Sequence, residues 1–163
     1  MSKKISEMSF EEAIEQALIA QPPTALAGPS GISEDMGVFT GDFPPGGWTK
    51  RTPEEYDRTL CLIPKDVLAF VYATQPKEWE KLKQQYKEEV KERFLKRLAS
   101  EINQRGTLDV LRGGIKDAGC KFALCFFRPS SKMNQELQKS YQANQFSVVR
   151  QLRYSVKTEK SLD

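Results

Sequence analysis

Histidine is missing from all 163 residues of this sequence. Histidine-based triads, HExxH zinc sites and histidine proton relays are therefore excluded within it. Cysteine is scarce too. Cys61, Cys120 and Cys125 are odd in number and have no CxxC spacing, so they fit neither a paired disulfide framework nor a cysteine zinc site. The longest apolar run, residues 67–73, has seven members against the roughly 18 that a membrane span needs. The opening Met1-Ser2-Lys3-Lys4-Ile5-Ser6-Glu7 has no apolar segment of the secretory kind. Together these absences lead to the expectation of a soluble, cytoplasmic protein with no membrane partner. Nucleotide motifs are also lacking: there is no GxxxxGK[ST] phosphate loop, no GxGxxG after a strand, and no GxSxG elbow.

What is present suffices for one core. Leu, Ile, Val and Phe make up 38 of the 163 residues, about 23%, above the roughly 20% below which a chain reads as disordered. The length suits one domain and leaves no room for a nucleotide-driven motor beside a second catalytic domain. The net charge of +3 is unevenly spread: residues 1–76 carry −5, residues 77–105 carry +3 and residues 106–163 carry +5. A basic C-terminal part is compatible with a phosphate-bearing partner, and equally with ordinary solvated surface.

Local signals divide the chain. Ser9 followed by Glu12 is a capping box opening a helix over residues 9–20, with Phe10, Ile14, Ala17 and Leu18 on one apolar face. Residues 22–50 hold five of the nine prolines and six of the ten glycines, which reads as a long loop pinned by Phe39, Phe43 and Trp48. Pro64 starts a helix to residue 73 with Val67, Leu68, Val71 and Tyr72 inward. Pro76 opens a long helix over 77–104, its stripe running through Trp79, Leu82, Tyr86, Val90, Phe94, Leu98 and Ile102 to the stop at Gly106. A further helix over 108–118 is expected to end at Gly119. The period then changes. Residues 120–127 read as a buried strand, residues 131–143 as a polar helix with Met133, Leu137 and Tyr141 inward, and residues 146–156 as a second strand. The expected class is α/β (α+β), a single domain over 1–163, helix-rich at the front and leading into an incomplete sheet. Two strands are too few for a stable one.

Few chemical groups stand out. Hard Mg2+ takes one or two carboxylates plus water and substrate phosphate oxygens. Asp163, after a strand and a turn, is a position that can supply one, and by itself is also simply a terminal acid. Glu15 reads as an acid complementing the helix dipole. Arg150, Arg153, Tyr154, Lys157 and Lys160 form an edge able to contact phosphate, or a solvated surface.

Three stretches carry a resemblance. They are Phe10-Glu11-Glu12-Ala13-Ile14-Glu15-Gln16-Ala17-Leu18-Ile19, then Arg93-Phe94-Leu95-Lys96-Arg97-Leu98, then Phe146-Ser147-Val148-Val149-Arg150-Gln151-Leu152 with Glu159-Lys160-Ser161-Leu162-Asp163. Gly46-Gly47-Trp48-Thr49-Lys50-Arg51 and Tyr56-Asp57 fit the same pattern. In this order they resemble the N-terminal region of the restriction (R) subunit of type I restriction endonucleases, over essentially the whole chain. The resemblance implies the start of a PD-(D/E)XK nuclease domain, followed in that family by an ATP-dependent DNA translocase. It places the family's catalytic, metal-binding Asp at Asp163 and an acid of the nuclease site at Glu15. It also makes Arg150, Arg153 and Lys157 DNA-facing candidates.

The implied cofactors, Mg2+ and ATP, belong to the complete family protein, and none is expected on these residues alone. The implied partners are DNA and the methylation and specificity subunits. The family's Glu-X-Lys pair lies on the strand after this Asp, beyond the residues given, so the 163 residues are expected not to cut DNA and to be partly unstable. The alternatives are a non-catalytic module that binds DNA or a subunit, and an unrelated α/β enzyme.

Overall fold

The computed structural model describes residues 7–19, 48–130 and 133–152. Residues 22–47 of the loop expected over 22–50, and Arg153, Lys157 and Asp163, lie outside these residues. The described chain is a mixed α/β structure. In order it runs α1 (Glu7–Ile19), β1 (Trp48–Arg51), a 3-10 turn (Pro53–Glu55), α2 (Pro64–Thr74), α3 (Pro76–Tyr86), a 3-10 turn (Lys87–Glu89), α4 (Val90–Arg105), α5 (Thr107–Gly113), β2 (Ile115–Asp117), β3 (Cys120–Phe122), α6 (Gln135–Gln142) and β4 (Phe146–Val149). Among the described residues no helix is long and apolar enough to cross a membrane.

The core lies where α2, α3 and α4 meet α5 and the β2–β3 hairpin. Phe70, Val71, Trp79, Leu82, Val90, Phe94, Leu98, Val110, Ile115, Cys120 and Phe122 form one buried cluster. Its centre is aromatic: Trp79 meets Phe94 edge to face at 5.4 Å, and Phe94 meets Phe122 at 5.0 Å. Such geometry sets the positive ring edge against a negative face. In α2 the inward aromatic is Phe70, while Tyr72 stays on the exposed side.

The long helix expected over 77–104 is two helices. Lys87, at φ 53°, closes α3, and a 3-10 turn leads into α4. The cause lies in the stripe itself. Leu82, Tyr86, Val90, Phe94, Leu98 and Ile102 step by four, and each such step drifts about 40° around a helix of 3.6 residues per turn. Over five steps that is about 200°, so a straight helix would turn its last apolar residues away from the core. The break resets the face.

The expected helix over 108–118 ends early, because Gly114 (φ 66°) stops α5 and its N–H returns to the Val110 carbonyl. A Cβ at Gly114 would sit 2.2 Å from the Phe122 carbonyl oxygen, so the hairpin approaches a bare glycine. Ala118 (φ 46°) and Gly119 (φ 80°) then form the two-residue turn between β2 and β3. Both residues take the left-handed backbone that such hairpins require.

The strand expected over 120–127 stops at Phe122. Past that residue, two side-chain amides act as strand surrogates for the backbone. Gln75 donates to the Ala123 carbonyl at 2.9 Å and accepts from its N–H at 2.7 Å. Buried Asn144 accepts from the Phe126 N–H at 2.9 Å and donates to its carbonyl at 2.6 Å. Helix α6 is shorter than the expected 131–143, and Asn144 lies just after it. Asn134 caps it by accepting from the Glu136 and Leu137 N–H groups at 3.1 Å. Met133 and Leu137 face outward, Met133 at 92% exposure.

Two corrections shape the functional end of the molecule. The Pro/Gly-rich stretch expected to be loop through residue 50 finishes in strand β1. That strand pairs in parallel with β4, in the register Trp48↔Phe146 to Arg51↔Val149. Thus β4 takes its partner from nearly a hundred residues earlier, and the Trp48 and Phe146 rings meet at 5.2 Å with a tilt of 38°. The strand expected to continue to 156 ends at Val149, and Gln151 beyond it has a left-handed φ of 50°.

Helix α1 begins at Glu7, and the expected cap at Ser9 lies outside the described side chains. It is also rotated from its expected face. Phe10 and Ile14 are exposed, whereas Glu15 is only 5% exposed.

Candidate functional site

A cleft of about 800 Å3 opens where α1, β1, the turn after it and the end of β4 converge. It is lined by Glu15, Lys50, Arg51, Thr52, Pro53, Glu54, Tyr56, Arg58, Arg150 and Gln151. The parallel pairing makes this convergence possible. It sets the C-terminal ends of β1 and β4 side by side, and strand ends of parallel sheets are where chains change direction and ligands find room.

Glu15 occupies the inner wall. Lys50, from β1, donates to its Oε1 at 2.6 Å. Arg150, just after β4, places Nε 3.9 Å from Glu15 Oε2 and 3.5 Å from Glu11 Oε2. Glu11 and Glu15 lie one turn apart on α1, so both carboxylates reach the same guanidinium. Neither Oε2 atom has a hydrogen-bond partner among the described residues, though both are buried. An enclosed carboxylate oxygen left short of donors is costly, and its nearest compensation is the Arg150 charge.

A second pair stiffens the wall. Arg51 grips Asp66 with both Nε and Nη2, the latter at 2.8 Å from Oδ1. Ser147 of β4 donates to the same carboxylate. Burial by itself raises the Asp66 pKa, but the hydrogen bonds from Arg51 and Ser147 and the Arg51 charge outweigh it and hold the carboxyl below its ordinary value. The same hydrogen bond raises the Arg51 guanidinium. Asp66 thus ties β1, β4 and the first turn of α2 together. Tyr56, on the cleft wall, is pushed up to about 12, first by burial and then by its neighbour Cys61.

Of the residues singled out in the sequence, Glu15 and Arg150 meet in this cleft; Arg153, Lys157 and Asp163 lie outside the described residues. The sequence does not single out Lys50, Glu11, Arg51, Asp66 or Ser147 as site residues. Lys50 and Arg51 sit in the Gly46-to-Arg51 stretch, where a basic pair closing a glycine-rich run is the available signal. Asp66 passes for an ordinary first-turn acid.

Among the described residues no group of three His, Cys, Asp or Glu residues able to hold a metal gathers. The Glu15 carboxylate is already bracketed by two cations, where a hard ion needs open oxygen donors. The arrangement is suited to presenting positive charge from an enclosed anionic base. No protein family model, no curated protein and no solved structure matches this chain.

Proposed function

We propose that this chain is the N-terminal part of the restriction subunit of a type I restriction-modification complex, and that the cleft forms one wall of its DNA-cleaving site. In the complete protein, ATP-driven translocation would precede Mg2+-dependent cleavage of unmodified foreign DNA. DNA and the methylation and specificity subunits would be its partners. The observation that carries the reading is the meeting of Glu15 with Arg150. Arg150 is a candidate phosphate contact and the resemblance puts a nuclease-site acid at Glu15; far apart in sequence, the two line the same cleft together with Lys50.

On this reading Asp163 is the metal-binding acid, and the Glu-X-Lys pair follows it on the next strand. That pair would supply the second acid and the lysine that places the attacking water, and the 163-residue chain by itself has only Asp163 of the three. Purified, nuclease-free chain with Mg2+ is expected to leave supercoiled plasmid intact, and nicking would overturn that inactivity. The family reading itself is tested by sequencing the source DNA past codon 163. A frame continuing into a strand with Glu-X-Lys, and later a phosphate loop, supports it. A frame with neither overturns it.

A further inference from the structure

The Lys50–Glu15 pair is lopsided. The Glu15 side chain is 6% exposed and the Lys50 side chain 58%. The anion is enclosed in the wall while the cation opens to the cleft. An ammonium has three donors, and among the described residues the Glu15 Oε1 contact at 2.6 Å uses one, which leaves two for a ligand. Glu15 Oε2 is buried in the same wall with no hydrogen-bond partner among the described residues, and Arg150 stands 3.9 Å away. A carboxylate flanked in this way is a poor metal ligand. It is a good anchor, because it removes the rotamer freedom of a lysine before any phosphate arrives.

We propose that Glu15 is a positioning residue that holds the Lys50 ammonium at the cleft, and that Lys50 there contacts a backbone phosphate of DNA without a metal ion. The substrate class rests on the restriction-subunit reading; the division of labour between Glu15 and Lys50 does not. It departs from the role that the resemblance implies for Glu15, since its carboxylate would serve a cation of the chain itself.

The test uses the 163-residue chain and a short fluorescent DNA duplex, with anisotropy followed from low to physiological salt in EDTA. Loss of one phosphate contact lowers the slope of log affinity against log salt by about 0.9. Lys50→Gln is expected to show that loss, and Lys50→Arg to restore the slope. Glu15→Gln removes a negative charge from the cleft. Simple long-range attraction then predicts tighter binding, whereas a lost anchor predicts weaker binding, and weaker is the expected result.

Circular dichroism establishes that each variant is folded. If Glu15→Gln unfolds, the Gln and Arg variants at Lys50 decide alone, since that side chain is exposed. An unchanged slope in Lys50→Gln, or tighter binding by folded Glu15→Gln, overturns the proposal. So does wild-type chain that fails to bind at low salt. The coding frame past residue 163 still decides the family reading separately.

Discussion

The helical body and the α1–β1–β4 edge are built from different forces. Among the described residues, the body, α2 to α5 with the β2–β3 hairpin, contains all twelve of the buried hydrophobic ones, from Phe70 and Val71 through Phe94 to Phe122. The edge contains none of them. It is joined by Lys50 with Glu15, Arg51 with Asp66, Arg150 with Glu11 and Glu15, and one aromatic contact between Trp48 and Phe146. Apolar burial is non-directional, so it secures the body whatever binds. Ion pairs are directional and can be exchanged for a ligand, which suits a wall that has to meet one. The body therefore acts as the scaffold, and the edge holds the groups that can act.

The largest effect should come from the body. Phe94→Ala removes the ring that Trp79 and Phe122 both contact and leaves a cavity at the centre of the cluster. It is expected to cost about 3–5 kcal/mol in chemical denaturation. A loss below about 1 kcal/mol would mean that the body is not the scaffold and would erase the contrast. Gly114→Ala comes next. It combines φ 66° with a Cβ 2.2 Å from backbone oxygen, which no side-chain movement relieves. The cost expected from the same measurement is about 2–3 kcal/mol, since β3 must shift away from the end of α5.

These positions also show how much of the molecule is legible in the sequence. The helical body is, because its apolar residues recur at helical spacing and Pro64, Pro76 and Gly106 punctuate them. The break at Lys87 is latent in the drift of four-residue steps, which counting matches to a helical template does not reveal. Gly113-Gly114 and Ala118-Gly119 mark a stop and a hairpin, but the second pair also fits the end of a helix that the first has already closed.

The edge is harder for a physical reason. On α1, Glu11 and Glu15 share a face about 100° from the centre of the Phe10–Ile14–Ala17–Leu18 stripe at 3.6 residues per turn. Local amphipathicity selects the stripe. The burial of Glu15 is decided instead by Lys50 and Arg150, which are remote in sequence and reach it only through the β1–β4 pairing. No local pattern encodes that. Parallel pairing across so long a connection leaves no turn signature either.

Where the edge joins the body, Asp66→Asn should have the larger effect, because it loosens both Arg51 and Ser147. Hydrogen bonds to a charged group contribute about 1.5–3 kcal/mol, and a loss in the lower part of that range is expected at neutral pH. The direction with pH follows from the lowered pKa of Asp66. Stability from a depressed carboxyl is fully present above its unfolded value. It is lost as pH falls through the folded one, so the wild-type advantage over Asp66→Asn should shrink below about pH 4. Urea titrations across that range measure it. An advantage independent of pH would show that Asp66 acts by shape and not by charge.

Lys50→Gln should change stability least, although it stands at the centre of the cleft. The Lys50 side chain is mostly exposed and keeps most of its hydration, so this half-exposed pair is worth less than one enclosed on both sides. Part of any loss comes from the enclosed Glu15 left behind, for which Arg150 remains a nearby counter-charge. The expected outcome is a melting curve close to that of wild type. A larger loss in the melt would mean that the edge needs this pair to stay folded, and the cation would then be structural. A small loss leaves Lys50 held in place by Glu15 at little consequence for the fold, as a residue kept for a ligand should be.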